Sequence, residues 1–179
     1  MADGDQRRSR GTGVIADMHS DTRRRLSGPR GIRVQESVAI NRPIAEVFRF
    51  WRNFENLPRF MKHLDSVALR DAGISHWVAR GPAGIAVAWD ARIINEIDNR
   101  LIAWQSLEHS TVATAGSVNF EETDHGTRVM VKLQYDPPAG KLGAMVAKLL
   151  GDDPAASIRE DLGRFKQLLE TGERVAGSW

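Results

Sequence analysis

The sequence predicts an α+β domain: a curved seven-stranded antiparallel sheet around a long C-terminal helix, with two short helices after the first strand. Three observations predict it. From Ile32 to Tyr135 the chain divides into short segments of alternating apolar residues, and most of their separators are too short to hold crossover helices, which makes neighbouring strands antiparallel. Between the first two segments the period changes from two to that of a helix. After Tyr135, apolar residues recur at helical spacing almost to Glu170.

The first strand is read over Ile32 to Ile40, where Val34, Glu36, Val38 and Ile40 share a side. Next, Asn41 is placed to cap a helix, Pro43 suits its first turn, and Ile44, Val47, Phe48 and Trp51 form its apolar stripe. Asn53 to Pro58 interrupts that stripe and leaves a second short helix or turn near Leu57 to Met61. Six further strands are read over residues 64–70, 75–80, 85–96, 101–107, 113–121 and 127–135. Their separators, "DAG", "GPAG", "DN", "EHST" and "TDHG", have hairpin composition. Ile85, Val87, Trp89, Ala91 and Ile93 share one side of their strand, as do Val129, Val131, Leu133 and Tyr135 of theirs. One face of the sheet is therefore apolar and needs a cover. The terminal segment supplies it, first with Leu142, Val146, Leu149 and Leu150, then with Ile158, Leu162, Phe165 and Leu169. Pro154 kinks or breaks the helix between these stretches, and Gly172 ends it.

A chain of 179 residues is the size of one domain, and 41% hydrophobic residues with five tryptophans argue for a packed core. Residues 1 to 32 hold seven arginines and four aspartates; the remaining 18 basic and 19 acidic residues nearly cancel. The expected organisation is a disordered arginine-rich tail over 1–31, a ligand-binding domain over 32–172 and a flexible tail over 173–179. The basic arm is read as solvated disorder, as a weak contact for an anionic membrane or polyanion, or as sequence preceding a true start at Met18. A nearly neutral domain lacks the basic footprint of a nucleic-acid binder, so no specific nucleic-acid partner is expected. The absence of cysteine excludes disulfides, thiolate nucleophiles and thiolate metal sites, and fits a reducing cytoplasm. No apolar run reaches 18 residues and the amino end carries charges, so the expected location is cytoplasmic.

A curved sheet around one helix leaves a gap where the helix stands away from it, and such a gap receives an apolar molecule. The candidate lining is Trp77, Trp89, Trp104, Phe120 and Tyr135 from strands, and Trp51 and Phe60 from the short helices. Leu142, Met145 and Val146 of the long helix complete it. Each of these residues serves equally well in a core; the set carries the expectation of a ligand. The five histidines show no metal-ligand spacing and no nucleophile motif is present, so neither metal nor cofactor is expected. Glu36 shares its side with apolar residues, which makes it a catalytic candidate, unless it lies at the open end of the strand or a bulge alters the phase. Tyr135 is a second candidate, through its hydroxyl, or a core anchor. His76 is read as outward and Trp77 as inward.

The order of elements, the stretch "INRPIAEVFRFWRNFENLPRFMKHLDSV", and "HWVARGPAGIAVAWDARIINEIDNRLIAWQS" with its "WDA" and "IAW" elements resemble the START-like (SRPBCC) superfamily, specifically the bacterial polyketide cyclase/dehydrase-type proteins related to ubiquinone-binding members. The resemblance covers roughly residues 33 to 171 and implies the helix-grip fold. It implies a ligand entrance near the long helix and the opposite loops, which on this chain involves Phe54, Met61, Gly81, Gly84 and Pro138. The "GPAG" turn is equally read as a plain hairpin. Members of this superfamily include carriers and enzymes, so three functions are expected of the fold: carriage of a hydrophobic or amphipathic small molecule such as a lipid, quinone or polyketide-like compound; polyketide cyclase/dehydratase-type catalysis; or protein interaction through a domain with a filled core.

Overall fold

The structure is a computed structural model and describes residues 31–70, 73–81, 84–110, 112–136 and 153–172. Strand β1 (Ile32–Ile40) leads into helix α1 (Ile44–Arg52) and a 3-10 helix (Phe54–Arg59). Six strands follow: β2 (Leu64–Leu69), β3 (Ile74–Arg80), β4 (Ala86–Ile97), β5 (Leu101–Ser106), β6 (Ala113–Thr123) and β7 (Gly126–Asp136). Helix α2 (Pro154–Thr171) comes last. The strands form one sheet in the order β1-β7-β6-β5-β4-β3-β2, every pair antiparallel. The seven-stranded, helix-covered sheet expected from the alternation is present.

Two local expectations are corrected. Asn41 does not cap α1: its backbone N–H donates to Glu170 Oε1 at 2.7 Å. Pro43 stands at the cap position instead, and its carbonyl accepts from the N–H groups of Glu46 and Val47. The segment read as an interruption, Asn53 to Pro58, itself contains most of the second helix. Asn53 caps it by accepting from the Glu55 N–H at 3.2 Å, and Pro58 is accommodated because this short helix asks little of its backbone donors.

Helix α2 begins where Pro154 suggests a break. Asp153 accepts from the Ala156 N–H at 3.0 Å, and Pro154 occupies the first turn, where its missing N–H costs nothing. Gly172 ends the helix with φ 73°, a left-handed conformation that suits glycine. Arg42 donates to the carbonyls of Leu169 and Glu170, at 2.9 and 2.7 Å, and so satisfies acceptors the helix leaves free. The first apolar stretch of the expected helix, Leu142 to Leu150, lies outside the described residues, as do the two expected tails. Among the described residues no helix is long and apolar enough to cross a membrane.

The core lies between the concave sheet face and the helices. Ile158, Leu162, Phe165, Leu168 and Leu169 are buried from α2, and Val47, Phe48 and Trp51 from α1. On the sheet, Val87 and Ala91 are buried as their phase predicts, but Ile85 is 50% exposed. It precedes β4 in a tight turn, where its carbonyl accepts from the Gly81 N–H, so the strand alternation does not govern it.

Candidate functional site

The apolar layer is not filled along its whole length. Between the sheet and the N-terminal half of α2 lies a cavity of about 150 Å³. Its sheet wall is built from tryptophans brought together by register. Trp77 of β3 is the cross-strand partner of Trp89 of β4, and the two rings stack at 5.9 Å; Trp104 of β5 stacks on Trp77 at 6.3 Å. Trp77 is held by a relay in which its Nε1–H donates to Ser75 Oγ at 2.8 Å and Ser75 donates to the Ala91 carbonyl. Trp104 has room because its cross-strand partner is Gly116: a Cβ there would stand 2.3 Å from Trp104 Cζ2.

Tyr135 closes the wall from β7, and Trp51, Phe60 and Met61 border it from the helical side. Four residues read as aromatic lining from strands, Trp77, Trp89, Trp104 and Tyr135, therefore surround one space, joined by Trp51 and Phe60. Phe120 does not: it packs edge-on against Phe48 and Trp51, outside the lining, because it lies farther along β6 beside α1. Of the expected entrance, Met61 lines the cavity, while Phe54 is buried behind the wall with its ring against Trp77 and Trp104. Gly81 and Gly84 form a turn closed by the Gly84 N–H to the Gly81 carbonyl and are not part of the lining. Leu142, Met145, Val146 and Pro138 lie outside the described residues.

The polar groups at the cavity are few. Tyr135 is 2% exposed and its hydroxyl has no hydrogen-bond partner among the described residues; burial raises its pKa. Thr114 of β6, 9% exposed, lines the same space with an equally unpartnered Oγ1. Asp161 of α2 also lines it. Burial raises its pKa, partly opposed by the Lys62 N–H donating to it at 3.1 Å and by the neighbouring Arg164 guanidinium. His63 borders the cavity as well and adds to the forces that favour the Asp161 carboxylate.

Glu36 holds the inward phase of β1 with no bulge, since its ladder to β7 runs unbroken from Ile32 to Ile40. The structure directs its carboxylate to Arg159 of α2, which donates through Nη2 at 2.7 Å and Nε at 3.3 Å, and it is not part of the cavity lining. His76 faces the other side of β3 and meets Asp90 at 2.7 Å, so Trp77 is the inward residue, as expected. Asp161 was legible but unread: it lies three residues after Ile158 and four before Phe165, on the buried stripe of α2. Thr114 carried the alternation signal of its strand but no aromatic bulk to draw notice. Among the described residues no group of three or more His, Asp or Glu side chains is placed to hold a metal ion.

Residues 40–162 match the model of the family described as polyketide cyclase / dehydrase and lipid transport. The chain belongs to that family. A member-like fold is seen in a crystal structure of a Deinococcus radiodurans protein, 31% identical, which covers 79% of this chain and 99% of that one with a TM-score of 0.64. The chain is also similar to the Zhui aromatase/cyclase of a Streptomyces species, at 15% identity and TM-score 0.60 over 81% of this chain and 99% of the other, a likeness of fold. By sequence, an uncharacterized 17.2 kDa protein of Streptomyces lincolnensis is 28% identical over 151 residues, 82% of this chain and 95% of that protein. The family's description spans enzymes and lipid carriers, so membership agrees with a hydrophobic ligand and leaves the choice of chemistry to the cavity's own residues.

Proposed function

We propose that the protein binds and carries a hydrophobic or amphipathic small molecule, of lipid, quinone or polyketide-like character, in the cavity between its sheet and α2. The observation that supports this reading is the hollow itself: four tryptophans, a tyrosine and the α2 side chains Ile158 and Leu162 border about 150 Å³. An apolar void of that size holds a benzene-sized molecule or one ring of a larger one. A protein-interaction domain would be better served by a filled interior. The ligand-binding role of Trp51, Phe60, Trp77, Trp89, Trp104 and Tyr135, and of Met61 at the rim, is part of the proposal.

Native mass spectrometry of the purified full-length protein, with extraction and identification of retained small molecules, tests it. A co-purifying apolar compound, displaced by tryptophan substitutions in the wall, is the expected result. No retained compound, and no quenching of tryptophan fluorescence by any of a panel of aromatic and lipid probes, would overturn it.

One observation favours a second reading, cyclase/dehydratase-type catalysis. Asp161 and Tyr135 both reach the cavity with pKa values raised by burial, which suits a carboxylate base and a neutral phenol donor on a carbonyl substrate. Turnover of a carbonyl substrate lost in Asp161→Asn and Tyr135→Phe but kept in Glu36→Gln would favour it over carriage.

The arginines of the first 31 residues support a weak contact with an anionic membrane or polyanion. Vesicle association that vanishes on deleting residues 1–30 is the expected result. The cysteine-free composition supports a cytoplasmic location.

A further inference from the structure

Thr114 and Tyr135 are direct cross-strand partners in the β6–β7 ladder, so their side chains stand side by side on one face of the sheet. Both line the cavity. Both are at least nine-tenths buried, and neither hydroxyl has a partner among the described residues. A hydroxyl removed from water without a new partner costs free energy, and here two such groups belong to paired residues of neighbouring strands that border one mostly apolar space.

The charges around the space narrow what these hydroxyls can receive. No lysine or arginine among the described residues lines the cavity; its ionisable neighbours are Asp161, His63 and Tyr135. Arg164 is turned to the Asp161 carboxylate and the Phe60 carbonyl rather than to the void. An incoming carboxylate would lose its hydration beside Asp161 and meet neither lysine nor arginine among the described lining residues. A carbonyl or alcohol oxygen loses far less and finds two hydroxyls, each free to rotate and to donate or accept.

Building on the cavity's reading as a binding site, we propose that Tyr135 and Thr114 form a subsite for an uncharged carbonyl or hydroxyl oxygen. The preferred ligands are then neutral ring ketones or alcohols, ahead of hydrocarbons of the same shape and ahead of carboxylates. The tryptophan wall takes the ring, and the paired hydroxyls fix which end of the molecule lies toward β6 and β7.

Three probes of nearly equal shape test this on the full chain: acetophenone, α-methylstyrene, which has CH₂ in place of the carbonyl oxygen, and benzoate. Binding is followed by tryptophan fluorescence and by NMR of the indole N–H signals. Acetophenone is expected to bind about five- to tenfold tighter than α-methylstyrene, with benzoate the weakest. Tyr135→Phe and Thr114→Val should each lower acetophenone affinity about three- to tenfold and leave α-methylstyrene within about twofold. Both substitutions conserve shape, and the hydrocarbon's unchanged binding certifies that the cavity survives in each variant. Equal affinity for ketone and hydrocarbon, tightest binding of benzoate, or a ketone preference that persists in the double variant overturns the subsite alone. Failure of all three probes to bind overturns the cavity reading together with it.

Discussion

Toward its C-terminus α2 drives Phe165 into a ring cluster, 4.6 Å from Phe60, 5.1 Å from Trp51 and 5.7 Å from Phe50. Within the two preceding turns of the same helix, Ile158 and Leu162 face a void. Both regions lie between one helix and one sheet, so the difference comes from what is inserted between them. At the filled end, α1 and the 3-10 helix wedge their aromatic rings under α2, and Phe120 of β6 meets them. At the hollow end the wedge stops at Trp51, Phe60 and Met61. The cavity is therefore the part of the helix–sheet gap that the β1–β2 connection borders but does not fill.

The same contrast appears in electrostatics. Glu170, at the filled end, has its pKa lowered, chiefly by the Asn41 N–H and then by Lys166, whose Nζ donates to it at 2.8 Å. Asp161, at the hollow end, has its pKa raised by burial. Two carboxylates nine residues apart on one helix thus titrate in opposite directions.

The largest test of this comparison is Phe165→Ala, which removes the ring that locks the filled end. It is expected to cost about 3–5 kcal/mol, seen as a lower urea midpoint. A cost below about 1 kcal/mol would show that this end is as loose as the other. Next, added bulk should be felt oppositely at the two ends. Val118→Leu, at a fully buried position away from the cavity, should lose about 1–3 kcal/mol through overpacking. Ala79→Leu, whose new methyl groups enter the void, should leave the melting temperature unchanged or higher while abolishing probe binding. Equal losses in both variants would break the distinction.

Titration sharpens it further. A raised folded-state pKa at Asp161 means that its contribution is present at low pH and is lost as pH climbs above about 4 through the raised value. Asp161→Asn should flatten the fall of melting temperature over that interval. Glu170 has the opposite sign: its contribution holds above the ordinary carboxylate range and is lost as pH falls below it, so Glu170→Gln should flatten the acid limb. Melting curves from pH 3 to 7 for both variants check the pair. The smallest effect belongs to Glu36→Gln, which weakens a pair whose arginine, Arg159, is exposed to solvent, and should move the melting temperature by about 1 °C or less without altering probe affinity.

Period and turn chemistry made the sheet legible. The alternation over Ile32 to Ile40 marked β1 to the residue, and the run from Val129 to Tyr135 gave the inner face of β7, because one buried face enforces a period of two. The helix end at Gly172 and a helix start at Pro154 were equally readable, since backbone conformation is written locally in those residues. The tryptophan wall was foreseeable as a set, from bulk at inward phases. Its members could not be separated from Phe120, which shares their phase and chemistry but lies under α1. Only tertiary structure decided that difference, because whether an inward side chain meets another residue or a hollow depends on how far a distant helix reaches. It likewise turned Glu36 toward Arg159, set Asp161 at the cavity, and paired Thr114 with Tyr135 through a register that no single strand encodes. Local sequence fixes which face a residue takes; the space in front of that face belongs to elements distant in the chain.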